Sequence, residues 1–307
     1  MLGTGGTIAG TAASASDNVG YAAAQRSVRD LLGALPAGIA GEVEAEQVAQ
    51  LDSKDMDHAT WVRLARRAAH HLARPEVVGL VVTHGTDTLE ETAWFLHRVL
   101  APVKPTVLTA AMRPATALSP DGPQNLADAL VVARWPGVAG VLALLAGRIH
   151  GAADLRKLHP YRVDAFGSTD AGPLGVVEEG RVRQFRPWPQ AAMALGLPTG
   201  AAVTAAWPWV EIITSHAGAR PDGVRALVAA GVRGLVVACT GNGSVNAALL
   251  PALAEADACG VVVWRATRCV MGNIVGDDTD DPVGPATSLS PWAARVELML
   301  TLLGEKA

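Results

Sequence analysis

The chain has 307 residues, 50% of them apolar, and its acidic side chains outnumber its basic ones by four charges. This is enough length for two domains and enough apolar material for a substantial core, which excludes a disordered chain. The densest basic stretch is Arg63, Arg66 and Arg67 within a helical pattern, so a nucleic-acid surface is excluded as well.

The first feature in the chain is Gly3-Thr4-Gly5-Gly6-Thr7-Ile8-Ala9-Gly10, preceded only by Met1-Leu2, which is too short to be a normal strand. Either native residues precede it or a leader has been removed, so the expected location is cytoplasmic, or periplasmic if a leader has gone. A helix is expected near Ser27 to Leu35, a strand near Val43 to Gln50 and a helix near Thr60 to Leu72. The apolar run Val77 to Thr83 reads as a strand that delivers the chain into Thr83-His84-Gly85-Thr86-Asp87-Thr88, with a helix from Thr88 to Leu100 behind it. Strands follow at Thr106 to Thr109 and Val138 to Leu144, separated by a helix near Pro123 to Ala133 with its proline in the first turn. The run Val138 to Ala146 is the longest apolar stretch and is under half of the roughly 20 residues that span a bilayer, so a soluble chain is expected.

From Pro173 to Phe185, Glu-Gly between apolar residues predicts a hairpin, and the Pro-rich passage from Arg186 to Thr199 reads as a linker. Strands are then expected at Val210 to Thr214, Leu235 to Cys239 and Gly260 to Trp264. Helices are expected near Asp222 to Ala230, near Ala247 to Ala256, and from Ser290-Pro291 to Leu303. Cys239, Cys259 and Cys269 are odd in number and lack a CxxC spacing, so they read as ordinary buried or half-buried thiols and neither a disulfide framework nor a zinc site is expected. The alternation predicts two α/β domains with doubly wound, flavodoxin-like parallel sheets. The larger spans 1–185, a linker 186–199, and the smaller 200–307.

Ligands on open parallel sheets bind beyond the carboxyl ends of the strands, and both threonine motifs fall at such ends. In each, a hydroxyl and backbone N–H groups stand beside a glycine that leaves room for a ligand. Together they describe an acyl-transfer site. A hydroxyl needs a base to become a nucleophile, and the sequence offers no convincing histidine for it; the candidate, His84, reads rather as a residue that pins the turn through hydrogen bonds, since the two flanking threonines could serve without it. Lys157, taken alone, reads as a surface lysine.

Thr-Gly-Gly-Thr-Ile-Ala-Gly, Thr-His-Gly-Thr-Asp-Thr-Leu-Glu-Glu-Thr, and Ala111-Met112-Arg113-Pro114 with Asp121-Gly122-Pro123 and Asn125 together resemble the bacterial-type L-asparaginase and glutaminase-asparaginase family over nearly the whole chain. The resemblance implies Thr7 as nucleophile, Tyr21 as the tyrosine of the loop after the first strand, and Thr86, Asp87 and Lys157 as a proton-handling group. It implies backbone N–H groups of Gly6 and Thr86 as the oxyanion hole, and Ser53, Lys54, Gly85 and Ala111 around the substrate. Lys54 is a departure, because many relatives carry an acceptor glutamine there and lysine can only donate. Ser244, in Gly241-Asn242-Gly243-Ser244, would reach a neighbouring subunit's substrate and resembles members with appreciable glutaminase activity. The family's neighbouring-subunit glutamate has no clear counterpart; Gly276 to Asp281 offers only aspartates, which otherwise read as a solvated loop.

The implied function is hydrolysis of the side-chain amide of L-asparagine to L-aspartate and ammonia through a threonine acyl-enzyme, with no cofactor or metal. The implied assembly is a homo-oligomer, a dimer or dimer of dimers, acting on a small amino-acid amide with neither nucleic acid nor membrane as partner. Competing readings are an enzyme with substantial glutaminase activity, a phosphate-binding module on Gly3 to Gly10, a tRNA-linked amidotransferase subunit, and a degenerate relative with an altered amide substrate. The phosphate-binding reading lacks a P-loop ending and leaves the second threonine motif unexplained.

Overall fold

Local chemistry sets the helix starts. The Ser27 hydroxyl accepts from Asp30 N while the Asp30 carboxylate accepts from Ser27 N, a capping box that opens α1 (Val28–Gly33). Asp57 accepts from Thr60 N at 2.7 Å to open α2 (His58–Leu72). The first turn of α3 (Leu89–Leu100) holds Glu90 and Glu91, where exposed helix N–H groups favour carboxylates, and the helix ends on left-handed Ala101 before Pro102. Pro123 lies in the first turn of α4 (Gly122–Arg134), as its missing N–H permits.

The computed structural model describes residues 1–36, 38–189, 194–196, 207–276 and 283–304, and divides the chain into two compact units, Met1–Pro198 and Thr199–Ala307. In the first unit β1 (Leu2–Gly5), β2 (Glu46–Leu51), β3 (Leu80–Thr83), β4 (Thr106–Thr109) and β5 (Val141–Leu145) run parallel in the order β2-β1-β3-β4-β5. That is the flavodoxin-like order, whose direction of winding reverses between β1 and β3 and opens a crevice beyond their carboxyl ends. Leu31 and Leu35 pack with Leu126, Ala129, Leu130 and Ala133 of α4 onto Val81, Val107, Leu142 and Leu144. Helices α2 and α3 pack on each other, with Trp61 and Phe95 stacked 5.0 Å apart.

The sheet continues past β5 with antiparallel strands that the pattern of alternating strands and helices does not announce. These are β6 (Arg148–Gly151) and then the expected hairpin, in which β9 (Gly175–Glu178) joins β10 (Arg181–Gln184) through left-handed Glu179 and Gly180. Between them β7 (Arg156–Lys157) and β8 (Phe166–Gly167) form a separate two-stranded antiparallel sheet. The first strand also differs from expectation: Gly3-Thr4-Gly5 of the motif is itself strand, buried throughout. A Cβ at Gly3 would fall 2.6 Å from the Val28 Cβ, so this strand needs glycine where α1 crosses it.

Within the expected linker, residues 190–193 and 197–199 lie outside the described residues, as does the boundary at 200. Arg186 and Trp188 belong to the first unit, Arg186 pairing with Asp154 at 3.1 Å and Trp188 packing on the core. In the second unit β11 (Val210–Thr214), β12 (Gly234–Cys239) and β13 (Val262–Thr267) form a three-stranded parallel sheet. One face carries α5 (Asp222–Ala229) and α6 (Leu250–Ala258), which bury Val224, Leu253 and Ala256 against Leu235, Val237 and Val263. The other carries α7 (Pro291–Gly304), whose Leu298 fills the space a Cβ at Gly234 would take. Helix α6 starts later than expected because Pro251 belongs in a first turn. Cys239 is buried as expected. Cys259 and Cys269 are exposed, the first capping α6 and the second in a turn after β13. Among the described residues no helix is long and apolar enough to cross a membrane.

Candidate active site

The loops that follow β1 and β3 meet glycine to glycine. A Cβ on Gly6, which has a φ of 81°, would lie 2.3 Å from the Gly85 Cα, and a Cβ on Gly85 would lie 2.3 Å from the Ser53 Oγ. Only unsubstituted backbone allows this approach. It apposes the Thr7 and Thr86 loops at the point where the sheet reverses its winding.

Thr7 begins a short 3₁₀ turn, and its Oγ1 stands 2.6 Å from the Tyr21 Oη, a short O–H···O contact in which either oxygen can donate. The position of Tyr21 follows from its neighbours. Thr11 and Ala22 exchange backbone hydrogen bonds at 2.9 Å in both directions, closing the 12–21 excursion that carries Tyr21, and the tyrosine ring packs over Gly10, where a Cβ would fall 2.8 Å from Cδ2. The excursion is tied to the loop after β4 by Ala12 N donating to Thr116 Oγ1 at 2.8 Å and Leu118 N donating to Ala15 O at 2.9 Å.

The second hydroxyl has a different partner. The Lys157 Nζ donates to Thr86 Oγ1 at 2.9 Å and to Asp87 Oδ1 at 2.6 Å. The lysine side chain is 18% exposed and that of Asp87 52%, so Lys157 is not the surface lysine it reads as in isolation. The ammonium is therefore fixed against the hydroxyl by a carboxylate reached from the solvent side. Ser53 is buried in a 3₁₀ turn after β2; its Oγ accepts from Asp87 N at 3.2 Å, and its carbonyl accepts from Thr88 Oγ1 at 2.8 Å.

His84 belongs to the scaffold, the alternative weighed for it from the sequence. It is fully buried, its Nδ1 lies 2.7 Å from the Gly85 carbonyl and its Nε2 2.9 Å from Thr92 Oγ1, which in turn accepts from Trp61 Nε1 at 2.8 Å. The Gly85 carbonyl can only accept, so Nδ1 carries a proton; burial disfavours a second one and pushes the pKa down to about 4, which leaves Nε2 to accept from the Thr92 hydroxyl. Lys54 engages carboxylates: its Nζ contacts Asp55 and lies 3.6 Å from Asp52.

Ala111 is buried just after β4, in a segment held from α4. Asp121 accepts from Met112 N and Arg113 N, both at 2.9 Å, while Asn125 donates to Ala110 O and accepts from Ala146 N, also at 2.9 Å. Both side chains belong to the sequence motif, which by itself assigns them no role; Asp121 holds the chain just after β4, and Asn125 ties the ends of β4 and β5 together. One expected donor is corrected, since the Gly6 N–H is given to Leu51 O at 3.0 Å and does not face the crevice. Ser244 lies in the second unit, in a turn where it exchanges backbone hydrogen bonds with Thr240. Asp277, Asp278, Asp280 and Asp281 lie outside the described residues. Among the described residues no group of three His, Cys, Asp or Glu side chains could hold a metal ion.

Two threonine hydroxyls thus stand at one crevice, one against a phenol and one against an ammonium. The family model "Asparaginase, N-terminal" matches residues 1–190 and the "Glutaminase/Asparaginase C-terminal domain" matches residues 209–306. The probable periplasmic L-asparaginase of Haemophilus influenzae is 39% identical, covering 100% of this chain and 88% of that protein. The glutaminase-asparaginase of Pseudomonas fluorescens is 36% identical, covering 98% and 85%. A crystal structure of the probable cytoplasmic L-asparaginase of Campylobacter jejuni superposes with a TM-score of 0.90 at 36% identity, covering 99% of this chain and 96% of that one. The chain belongs to the asparaginase family of amidohydrolases.

Proposed function

We propose that this chain hydrolyses the side-chain amide of L-asparagine to L-aspartate and ammonia through an acyl-enzyme on Thr7. The observation that carries the reading is the pairing of each threonine hydroxyl with its own proton partner: Thr7 with Tyr21 at 2.6 Å, and Thr86 with Lys157 at 2.9 Å, itself held by Asp87 at 2.6 Å. In acylation the Thr7 Oγ1 adds to the amide carbon while its proton passes to the phenol oxygen beside it and the phenol's own proton passes to the departing nitrogen, which leaves as ammonia. In deacylation water adds to the ester carbon as its proton passes to the Thr86 hydroxyl oxygen and that hydroxyl's own proton passes on to the departing Thr7 Oγ1, which restores the Thr7 hydroxyl; the Lys157 ammonium donates to the Thr86 oxygen and holds it in place.

The tetrahedral oxyanion of both steps needs backbone donors. With Gly6 N committed to Leu51, the N–H of Thr86 and that of Thr7, which has no acceptor within the turn it begins, fill this role. The buried Ser53 hydroxyl holds the substrate carboxylate. Lys54, engaged by Asp52 and Asp55, stays out of the amino-group site. Ammonia release from L-asparagine and L-glutamine, measured side by side for wild type and Thr7→Ala, tests this. Release should vanish in the variant, and activity that survives Thr7→Ala would refute the acyl-enzyme. Appreciable release from glutamine would favour a glutaminase-asparaginase, the reading that Ser244 supports.

The catalytic unit is proposed to be a dimer or dimer of dimers in which a neighbouring copy brings Ser244 and an acidic side chain to the substrate. Light scattering on the active preparation should give a mass of two or four chains; a fully active monomer would rule this out.

A further inference from the structure

Lys157 is held at both of its ends by one short segment of chain. Its Nζ donates to Thr86 and Asp87, and its backbone N donates to the Glu90 Oε1 at 3.0 Å. Glu90 lies in the first turn of α3, directly after the loop that carries Thr86 and Asp87, so that loop and the carboxylate move as one element.

The lysine, by contrast, sits on β7, which among the described residues pairs only with β8, in a two-residue ladder outside the main sheet. Leu158 N donates across that ladder to Ala165 O at 2.7 Å, and antiparallel geometry then turns the Lys157 N–H outward, away from β8. Without another acceptor that N–H would be left unpaired, and nothing in the ladder would set the distance from the lysine backbone to α3.

We infer that Glu90 is a positioning residue for the amide-hydrolysing site: by gripping the backbone of Lys157, its carboxylate fixes where the ammonium meets Thr86. This rests on the acyl-transfer reading above and extends it to a residue that touches neither substrate nor the reacting atoms. Reach is what Glu90 supplies, because the contact is to an uncharged N–H. Burial raises its pKa, with the Lys157 N–H and the charges of Arg156 and Lys157 opposing, as expected of a carboxyl kept for a hydrogen bond at the cost of hydration. Arg156 lies in the field of Glu90 and of Asp154 and is itself partly desolvated.

The test separates reach from charge. Glu90→Gln keeps the length and an acceptor oxygen but loses the charge, whereas Glu90→Asp keeps the charge and is one methylene too short. For ammonia release from L-asparagine, kcat of Glu90→Gln should stay within about 3-fold of wild type while that of Glu90→Asp falls roughly 10 to 100-fold, with KM little changed in either, the signature of misplaced catalytic groups. Hydrogen exchange of a peptide spanning Arg156 to Leu158 gives a second readout that needs no substrate: protection of the Lys157 amide should persist in Glu90→Gln and drop in Glu90→Asp. A Glu90→Asp enzyme as active and as protected as Glu90→Gln, or a Glu90→Gln enzyme as impaired as Glu90→Asp, overturns the inference. A wild type inactive on both amides would refute the functional reading and leave the exchange comparison to decide the role of Glu90.

Discussion

At the scale of single residues, the site depends on an absent side chain as much as on those present. Gly85 faces Ser53 so closely that an added Cβ would lie 2.3 Å from Oγ and 2.6 Å from Cβ, and Ser53 is buried with no room to retreat. Gly85→Ala must therefore push the Thr86 loop and the Ser53 turn apart. The expected cost is about 1–3 kcal/mol of stability, as for other overpacked interiors, and on the order of a 100-fold loss in kcat/KM from displaced catalytic groups. Because the severe contacts are with the serine side chain and the Gly6 Cα is 3.2 Å from the added Cβ, Gly85→Ala combined with Ser53→Gly should recover part of the lost stability, read as the urea midpoint, while activity stays low. A double variant no more stable than Gly85→Ala would place the strain elsewhere. Most of the site's residue types were legible in the sequence, since glycine beside threonine after an apolar run has few other uses. The partners were not: nothing in the spacing of Glu90 and Lys157, or of Trp61, Thr92 and His84, announces that they touch, because these contacts are set by how separate elements pack.

At the scale of elements, the parallel strands and their covering helices could be read because each is a continuous apolar run or a period of 3.6, helped in α4 by Pro123 in its first turn. The Asp57 cap of α2 went unread, and that helix starts two residues before the expected Thr60. The expected bounds of β4 and β11 match the structure residue for residue. Elements that hold together only through tertiary pairing stayed hidden. Strand β6 interrupts its apolar residues with Arg148 and His150, and β7 and β8 have two residues each, too few for any periodicity. Strand β13 runs past the expected Trp264 because the buried Arg265 finds the Gly284 carbonyl at 2.9 Å, a satisfied charge that from sequence looks like the end of a strand. The hidden β7 matters most, because it delivers Lys157.

At the scale of the whole molecule, buried titratable groups couple stability to pH. Burial pushes the pKa of both His84 and His150 down to about 4, His150 with added repulsion from Arg148. His150 shares a hydrogen bond with Ser168 through Nδ1, and its Nε2 is buried without a partner, so a second ring proton would have no acceptor. In the unfolded chain both imidazoles titrate near 6.5. Between that pH and about 4 the unfolded state binds protons that the folded state refuses, so stability must fall as the pH is lowered through this window. Above it the two histidines contribute no slope; by pH 4 each has cost about 3 kcal/mol. Glu46, held down to about 2 chiefly by the Arg67 hydrogen bond, extends the loss at lower pH, because its stabilising contribution is present above about 4.5 and disappears as the pH drops toward 2. Glu90 and Asp128, whose pKa values burial raises, act in the opposite direction at the acid end. Urea midpoints measured from pH 7.5 to 4.5 should therefore decline steeply below 6.5, and His150→Gln, which cannot titrate, should remove close to half of the histidine contribution while lowering stability at pH 7.5 only modestly. A variant whose decline parallels that of the wild type would mean that His150 takes up its proton in the folded state, and that its environment holds an acceptor for Nε2.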